Sequence, residues 1–195
     1  MKRVLAFFCF LFPFLSCCQP KTFLTDRTLE LCQYIPDHVL KPEAKEAMTS
    51  EFFQALSEAF EAPVPDYGEI GDNEWLWYFV TGNGGSEPVY SVKSVSRMGK
   101  DTARAIITVR QKWEDGTCAE EDAKEYEVSL QCIDGQWFLD DFDGKKAACR
   151  AYVRQVREKY ASGEYVKYLE SAEDLKEYVP DFQARVKAFY EKYGE

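Results

Sequence analysis

The chain has 195 residues and a formal net charge of −10, with 46% hydrophobic and 15% aromatic residues. That content suits a globular chain and excludes a disordered one. The acidic balance argues against nucleic acid, whose affinity comes mostly from Lys and Arg neutralising phosphates, and against docking on anionic lipid headgroups.

Lys2 and Arg3 precede the uncharged run Val4 to Leu15, which is shorter than the about 20 residues a membrane-spanning helix takes. A basic start, a short apolar middle and the small residue Ser16 predict a secretory signal over residues 1–16 that leaves the mature chain. Its loss removes Lys2 and Arg3 and takes the charge from −10 to −12. The stretch Phe14-Leu15-Ser16-Cys17 resembles the bacterial lipoprotein signal, in which a peptidase cuts before a cysteine that carries a thioether-linked lipid. The resemblance implies a multiply acylated Cys17, with Cys18 as the alternative, and a domain held at a membrane by its lipid. Gln19-Pro20-Lys21-Thr22 carries no acidic pair, so the periplasmic side in a two-membrane bacterium is expected. Residues 17–25 read as a tether.

The remaining cysteines are Cys32, Cys118, Cys132 and Cys149. In an oxidising compartment four thiols allow two disulfides in three pairings, but these are far apart, and isolated buried thiols fit as well. No C-x-x-C is present, which leaves out a zinc ribbon and a thioredoxin motif.

In chain order, Asp26 is a plausible N-cap for a short helix carrying Leu29, Leu31 and Cys32, stopped by Pro36. Within PEAKEAMTSEFFQALSEAFEAP, Met48, Phe52, Phe53, Leu56 and Phe60 recur at helical spacing and predict one amphipathic helix. A loop follows, then Trp75-Leu76-Trp77-Tyr78-Phe79, read as a short helix, and the turn-forming TGNGGSEP. From Val89 the period changes to two. In TARAIITVRQKW, Ala103, Ala105, Ile107, Val109 and Trp113 share a face, and Tyr126, Val128, Leu130 and Cys132 repeat the pattern. Asp134-Gly135 signals a tight hairpin into QWFLDDFD, which completes an antiparallel meander of four strands from about residue 88 to 142. After Gly144 the helical period returns with Ala148, Tyr152, Val153, Val156 and Tyr160. Ser162-Gly163 breaks it, Ser171-x-x-Asp174 is similar to a capping box, and Phe182, Val186, Phe189 and Tyr190 mark a last helix.

Helices followed by antiparallel strands predict an α+β fold in which N-terminal helices cover one face of a curved sheet, with a C-terminal helical extension. MTSEFFQALSEAF, ARAIITVRQKW and YEVSLQCIDGQWFLDDFD resemble the cone-shaped fold of the nuclear transport factor 2-like (cystatin-like) superfamily, and uncharacterised lipoproteins of that fold with a Trp-x-x-Asp-Asp strand end, here Trp137 to Asp141. The resemblance implies a domain over residues 26–158 and an extension over 159–195. It does not choose a function, because that fold serves isomerases, dehydratases, binding modules and immunity proteins.

His38 is the only histidine, so multi-histidine metal sites and an H-E-x-x-H helix are excluded, and no metal or cofactor is expected. Asp140, Asp141 and Asp143 fail the calcium-loop pattern, since Leu139 and Arg150 fall where acidic ligands belong. They read as strand-end residues, with Asp143 capping the helix near Lys145. In the fold's isomerase-type members an acidic base works with a tyrosine or histidine donor inside the cone. Strict alternation puts Asp141 on the face of Trp137 and Leu139, so Asp141 and Tyr126 are the pair to inspect. Trp75, Trp77, Trp113 and Trp137 could line a cavity for a small apolar ligand or sit in the core. Glu120, Glu121 and Asp122 read as an exposed acidic loop. The expected function is a non-enzymatic, lipid-anchored module for a small apolar ligand or a partner protein. The rivals are an enzyme built on Asp141 and Tyr126, and an immunity-type protein against a basic toxin.

Overall fold

A computed structural model of the protein describes residues 21–36, 39–65, 86–118 and 123–194. The first helix, α1 (Lys21–Cys32), starts ahead of Asp26 and takes up the second half of the expected tether. Leu24, Thr28, Leu31 and Cys32 are its buried positions; their spacing of four, three and one makes one apolar stripe. Thr28 joins that stripe because its Oγ1 donates to the carbonyl of Leu24 at 2.6 Å, which satisfies a hydroxyl that could not otherwise be buried.

The long helix expected over PEAKEAM…FEAP is broken in two. Pro42–Glu46 is a short 3-10 turn and α2 covers Ser50–Glu61. Between them the backbone of residues 47–49 is captured by a strand: the Leu139 N–H donates to the Ala47 carbonyl and the Thr49 N–H to the Leu139 carbonyl, both at 2.9 Å. Thr49 then caps α2, its Oγ1 accepting from the Phe52 N–H.

Four antiparallel strands follow in the order of the sequence: β1 (Ser86–Arg97), β2 (Thr102–Trp113), β3 (Lys124–Ile133) and β4 (Gln136–Phe142). β1 begins within the expected turn, and Pro88 is tolerated there because β1 is an edge strand. At the other edge, the bridge between Met48 and Leu139 covers part of β4, which protects an edge that would otherwise invite pairing. The core face carries Ala103, Ala105, Ile107, Val109, Val128, Leu130, Cys132, Trp137, Leu139 and Phe142. The opposite face is polar and holds cross-strand pairs such as Arg104 with Glu127 at 3.2 Å. α1 packs against both β1 and β4, so the sheet is curved around it. The fold is thus α+β, with N-terminal helices on a curved four-stranded sheet.

The C-terminal helices are α3 (Lys145–Ser162), α4 (Glu164–Ser171) and α5 (Val179–Tyr193). Gly163 takes a left-handed φ of 70°, which separates α3 from α4 at the expected break. Ser171 is the last residue of α4, where its Oγ donates back to the Tyr168 carbonyl at 2.6 Å; it caps no following helix. α3 runs without interruption through residue 158, and the extension shares its core. Tyr160 has Tyr165, Phe182, Phe189 and Tyr190 around it at centroid distances of 5.9–6.2 Å, and its hydroxyl donates to the Pro63 carbonyl behind α2.

Candidate functional site

The expected meeting of Asp141 and Tyr126 in a pocket does not occur, and a β-bulge is the reason. β3 and β4 pair in register from Ile133↔Gln136 to Leu130↔Leu139, then the register shifts, so that Ser129 faces Asp141 and Val128 faces Phe142. The extra residue in β4 reverses the alternation. Phe142, fully buried, takes the inward position that strict alternation gives to Asp141. The Asp141 carboxylate turns to the start of α3, where its Oδ1 accepts from the backbone N–H of Phe142 at 2.9 Å and of Lys146 at 2.8 Å. It, and not Asp143, caps α3. Asp143 and Gly144 instead make the turn itself, at φ values of 49° and 74°. Asp140 is also engaged, accepting from Thr49 Oγ1 and Lys146 Nζ, both at 2.9 Å. Tyr126 stacks on Phe142 at 5.0 Å, and burial raises its phenol pKa, with a contribution from the Asp143 charge.

The tryptophans do not line a common cavity. Trp137 is 1% exposed and part of the core. Its carbonyl accepts from Arg27 Nε at 3.1 Å and the Arg97 guanidinium lies over its ring. Trp113, at the end of β2, is 36% exposed and outside the core. Trp75 and Trp77 lie outside the described residues, as do Cys17, Cys18, His38, Glu120, Glu121 and Asp122. The inside of the curved sheet is filled by Trp137, Phe52, Leu56, Phe142 and their neighbours.

The concavity lies elsewhere, on the flank of α2. An open groove of about 990 Å³ runs between α2, the 39–50 segment, the β3–β4 hairpin and the end of α5. Phe53 and Phe60 form its wall on α2, Met48 and Leu40 its upstream side, Ile133 and Phe138 the hairpin side. Phe53 and Phe60 were legible as apolar positions of α2, but only Phe52 and Leu56 of that stripe are fully buried. A stripe that includes both Phe52 and Phe53 is wider than one contact surface needs, which is a usable signal. Phe138 and Ile133 gave a second signal, since they sit on the polar face of their strands. The polar residues are Thr49, Ser50, Gln54 and Ser57 along the wall, Lys45 at the margin, and the Lys192–Glu61 ion pair with Tyr193 at the α5 end. Burial raises the Tyr193 phenol pKa, while its Lys192 and Glu61 contacts act in opposite directions.

Cys32, Cys118 and Cys149 are free thiols, so the two disulfides that four cysteines allow are not formed. Burial pushes the pKa of both Cys32 and Cys149 up to about 12, which makes them inert. Cys132 is disulfide-bonded. Among the described residues no group of acidic, histidine or cysteine side chains is arranged to hold a metal ion, and no helix is long and apolar enough to cross a membrane. The chain matches no family model, no curated protein and no solved structure.

Proposed function

We propose that the chain is a lipid-anchored protein of a bacterial cell envelope, with the fold of the nuclear transport factor 2-like superfamily, whose domain binds a small apolar molecule in the groove beside α2. The observation that carries this reading is the groove itself. Its volume of about 990 Å³ is at the upper end of ligand sites, which run to roughly 1,000 Å³ and are apolar with a few placed polar groups. Phe53, Phe60, Met48, Leu40, Ile133 and Phe138 would supply the apolar contact, while Lys45 and the Lys192–Glu61 pair would fix the orientation of a polar end.

The role is binding and not catalysis. Asp141, the acid that the sequence offers as a base, accepts two backbone hydrogen bonds and is not among the groove residues. The lipid anchor rests on Phe14-Leu15-Ser16-Cys17, and the polar residues after the paired cysteines support the periplasmic side.

Titration of the mature protein with an uncharged, polarity-sensitive dye such as N-phenyl-1-naphthylamine tests the groove. Phe53→Asp and Phe138→Asp each remove a partly exposed apolar wall and place a charge there. Forfeiting about 1.5–3 kcal/mol of apolar contact lowers affinity at least tenfold, with circular dichroism unchanged. Wild-type affinity in both variants rules the groove out as the site.

A further inference from the structure

We infer that the groove beside α2 takes a single acyl chain ending in one carboxylate, with the carboxylate at Lys45 and the chain laid along α2 toward the end of α5. Such a ligand is one case of the apolar molecule proposed above, and its assignment rests on that reading.

The polar residues of the groove decide the head. Thr49 Oγ1 is engaged on both sides, donating to Asp140 and accepting from the Phe52 N–H. Gln54 Nε2 donates to Glu58 at 2.9 Å, and Lys192 is neutralised by Glu61, the last residue of α2. Lys45 stands on the 3-10 turn that precedes α2. Among the described residues it is the one charged group of the groove with neither an ion pair nor a hydrogen bond. Glu43 and Glu46 share its turn but do not line the groove. The first residue of α2, Ser50, also lines the groove, so the positive end of the helix adds to the potential there. A fitting ligand therefore has one negative end and no charge along its length. An ammonium is a compact point charge, which suits a carboxylate. A phosphodiester head would bring further oxygens to the same single cation.

The apolar wall decides the tail. Phe53 and Phe60 stand two turns apart on one face of α2, with Ile133 and Phe138 of the hairpin on the other side of the groove. α2 has 12 residues, or about 18 Å of helix. One leaflet of a bilayer is half of the hydrocarbon core, about 15 Å, and that is the length of the acyl chains within it. The wall is thus as long as one such chain. Val39 and Ile133, 67% and 42% exposed, leave the rim apolar and uncovered. An extended peptide would instead carry an amide at every residue, and unpaired amides are costly to bury.

Displacement of N-phenyl-1-naphthylamine from the mature protein tests this with three probes of one chain length, dodecanoate, dodecanol and dodecylamine, each below its micelle concentration. Dodecanoate should displace the dye at about fivefold lower concentration than dodecanol, the upper value for a surface ion pair. Lys45→Gln should abolish that preference while dye and dodecanol bind as in wild type, and Lys45→Glu should make dodecylamine the best of the three. Lys41→Gln, at an exposed lysine outside the groove, should keep the wild-type order. Equal displacement by the acid and the alcohol, or a preference that survives Lys45→Gln or disappears in Lys41→Gln, overturns the inference. A lysophosphatidylglycerol of the same chain that displaces dye better than dodecanoate overturns the carboxylate head. In each of these cases a dye site weakened by Phe53→Asp leaves the groove standing. Wild-type dye affinity in both Phe53→Asp and Phe138→Asp defeats the groove and this inference together.

Discussion

Replacing Asp141 by Ala separates a structural carboxylate from a catalytic one. In the structure Asp141 Oδ1 accepts from two backbone N–H groups, Phe142 and Lys146, at the start of an 18-residue helix whose own N-cap position is Gly144 and supplies no side chain. Loss of an N-terminal cap costs about 1 kcal/mol, and loss of a negative charge beside the positive end of a helix adds roughly 0.3–1 kcal/mol. For a chain of this size each kcal/mol lowers Tm by about 2–4 °C, so Asp141→Ala should melt about 3–8 °C below wild type. Asp141→Asn keeps the acceptor and loses only the charge, for about 1–4 °C. Asp143→Asn, at the residue that sequence spacing selects as the cap, should stay within about 2 °C, since Asn tolerates the left-handed backbone. The assay is thermal melting by circular dichroism with dye titration on the same samples, and dye affinity should stay within about twofold in all three because Asp141 is outside the groove. Wild-type melting of Asp141→Ala, or a tenfold loss of dye binding without a change in Tm, would refute the reasoning.

Further expectations concern the core. With their pKa at about 12 in the fold against about 8.5 when unfolded, Cys32 and Cys149 hold protons that the unfolded chain has lost. Stability is therefore full below about pH 8.5 and falls as pH rises toward 12, by about 1.4 kcal/mol per pH unit for each thiol. Urea midpoints between pH 9 and 10 should fall more steeply for wild type than for the Cys32→Ala/Cys149→Ala double variant, and equal slopes contradict this account. Tyr160→Phe removes the hydrogen bond to the Pro63 carbonyl and should cost about 1 kcal/mol, read as a Tm loss of about 2–4 °C. A chain ending at Gly163 uncovers the aromatic side of α3 and should bind dye nonspecifically or aggregate; clean, wild-type-like melting would mean the extension is no part of the core.

Most strands and helices could be read from the sequence because each depends on a short-range period. The alternation of Ala103, Ala105, Ile107 and Val109 and the Asp134-Gly135 turn specify a half-buried meander wherever it packs. The four-residue recurrence of Tyr152, Val156 and Tyr160 does the same for α3. The candidate site was less legible. The bulge between β3 and β4 has no local signature in Leu139-Asp140-Asp141-Phe142. It arises because the bulky Phe142 is driven inward and Asp141 finds two backbone donors at the start of α3, both consequences of tertiary packing. The groove was visible only as apolar residues in excess: Phe53 beside Phe52, and Phe138 on the wrong face of β4.

By itself, the sequence determines the class of fold, an α+β chain with four consecutive antiparallel strands, because periodicity is written in neighbouring residues. Only the tertiary structure decides which side chains are used up and which remain available. It assigns Trp137 to the core, Asp141 to a helix end, Phe53 and Phe138 to a groove, and three of the four later cysteines to free thiols. Those outcomes depend on competition among residues distant in sequence for one interior, where apolar volume is buried and the Asp141 carboxylate meets backbone donors at a helix start.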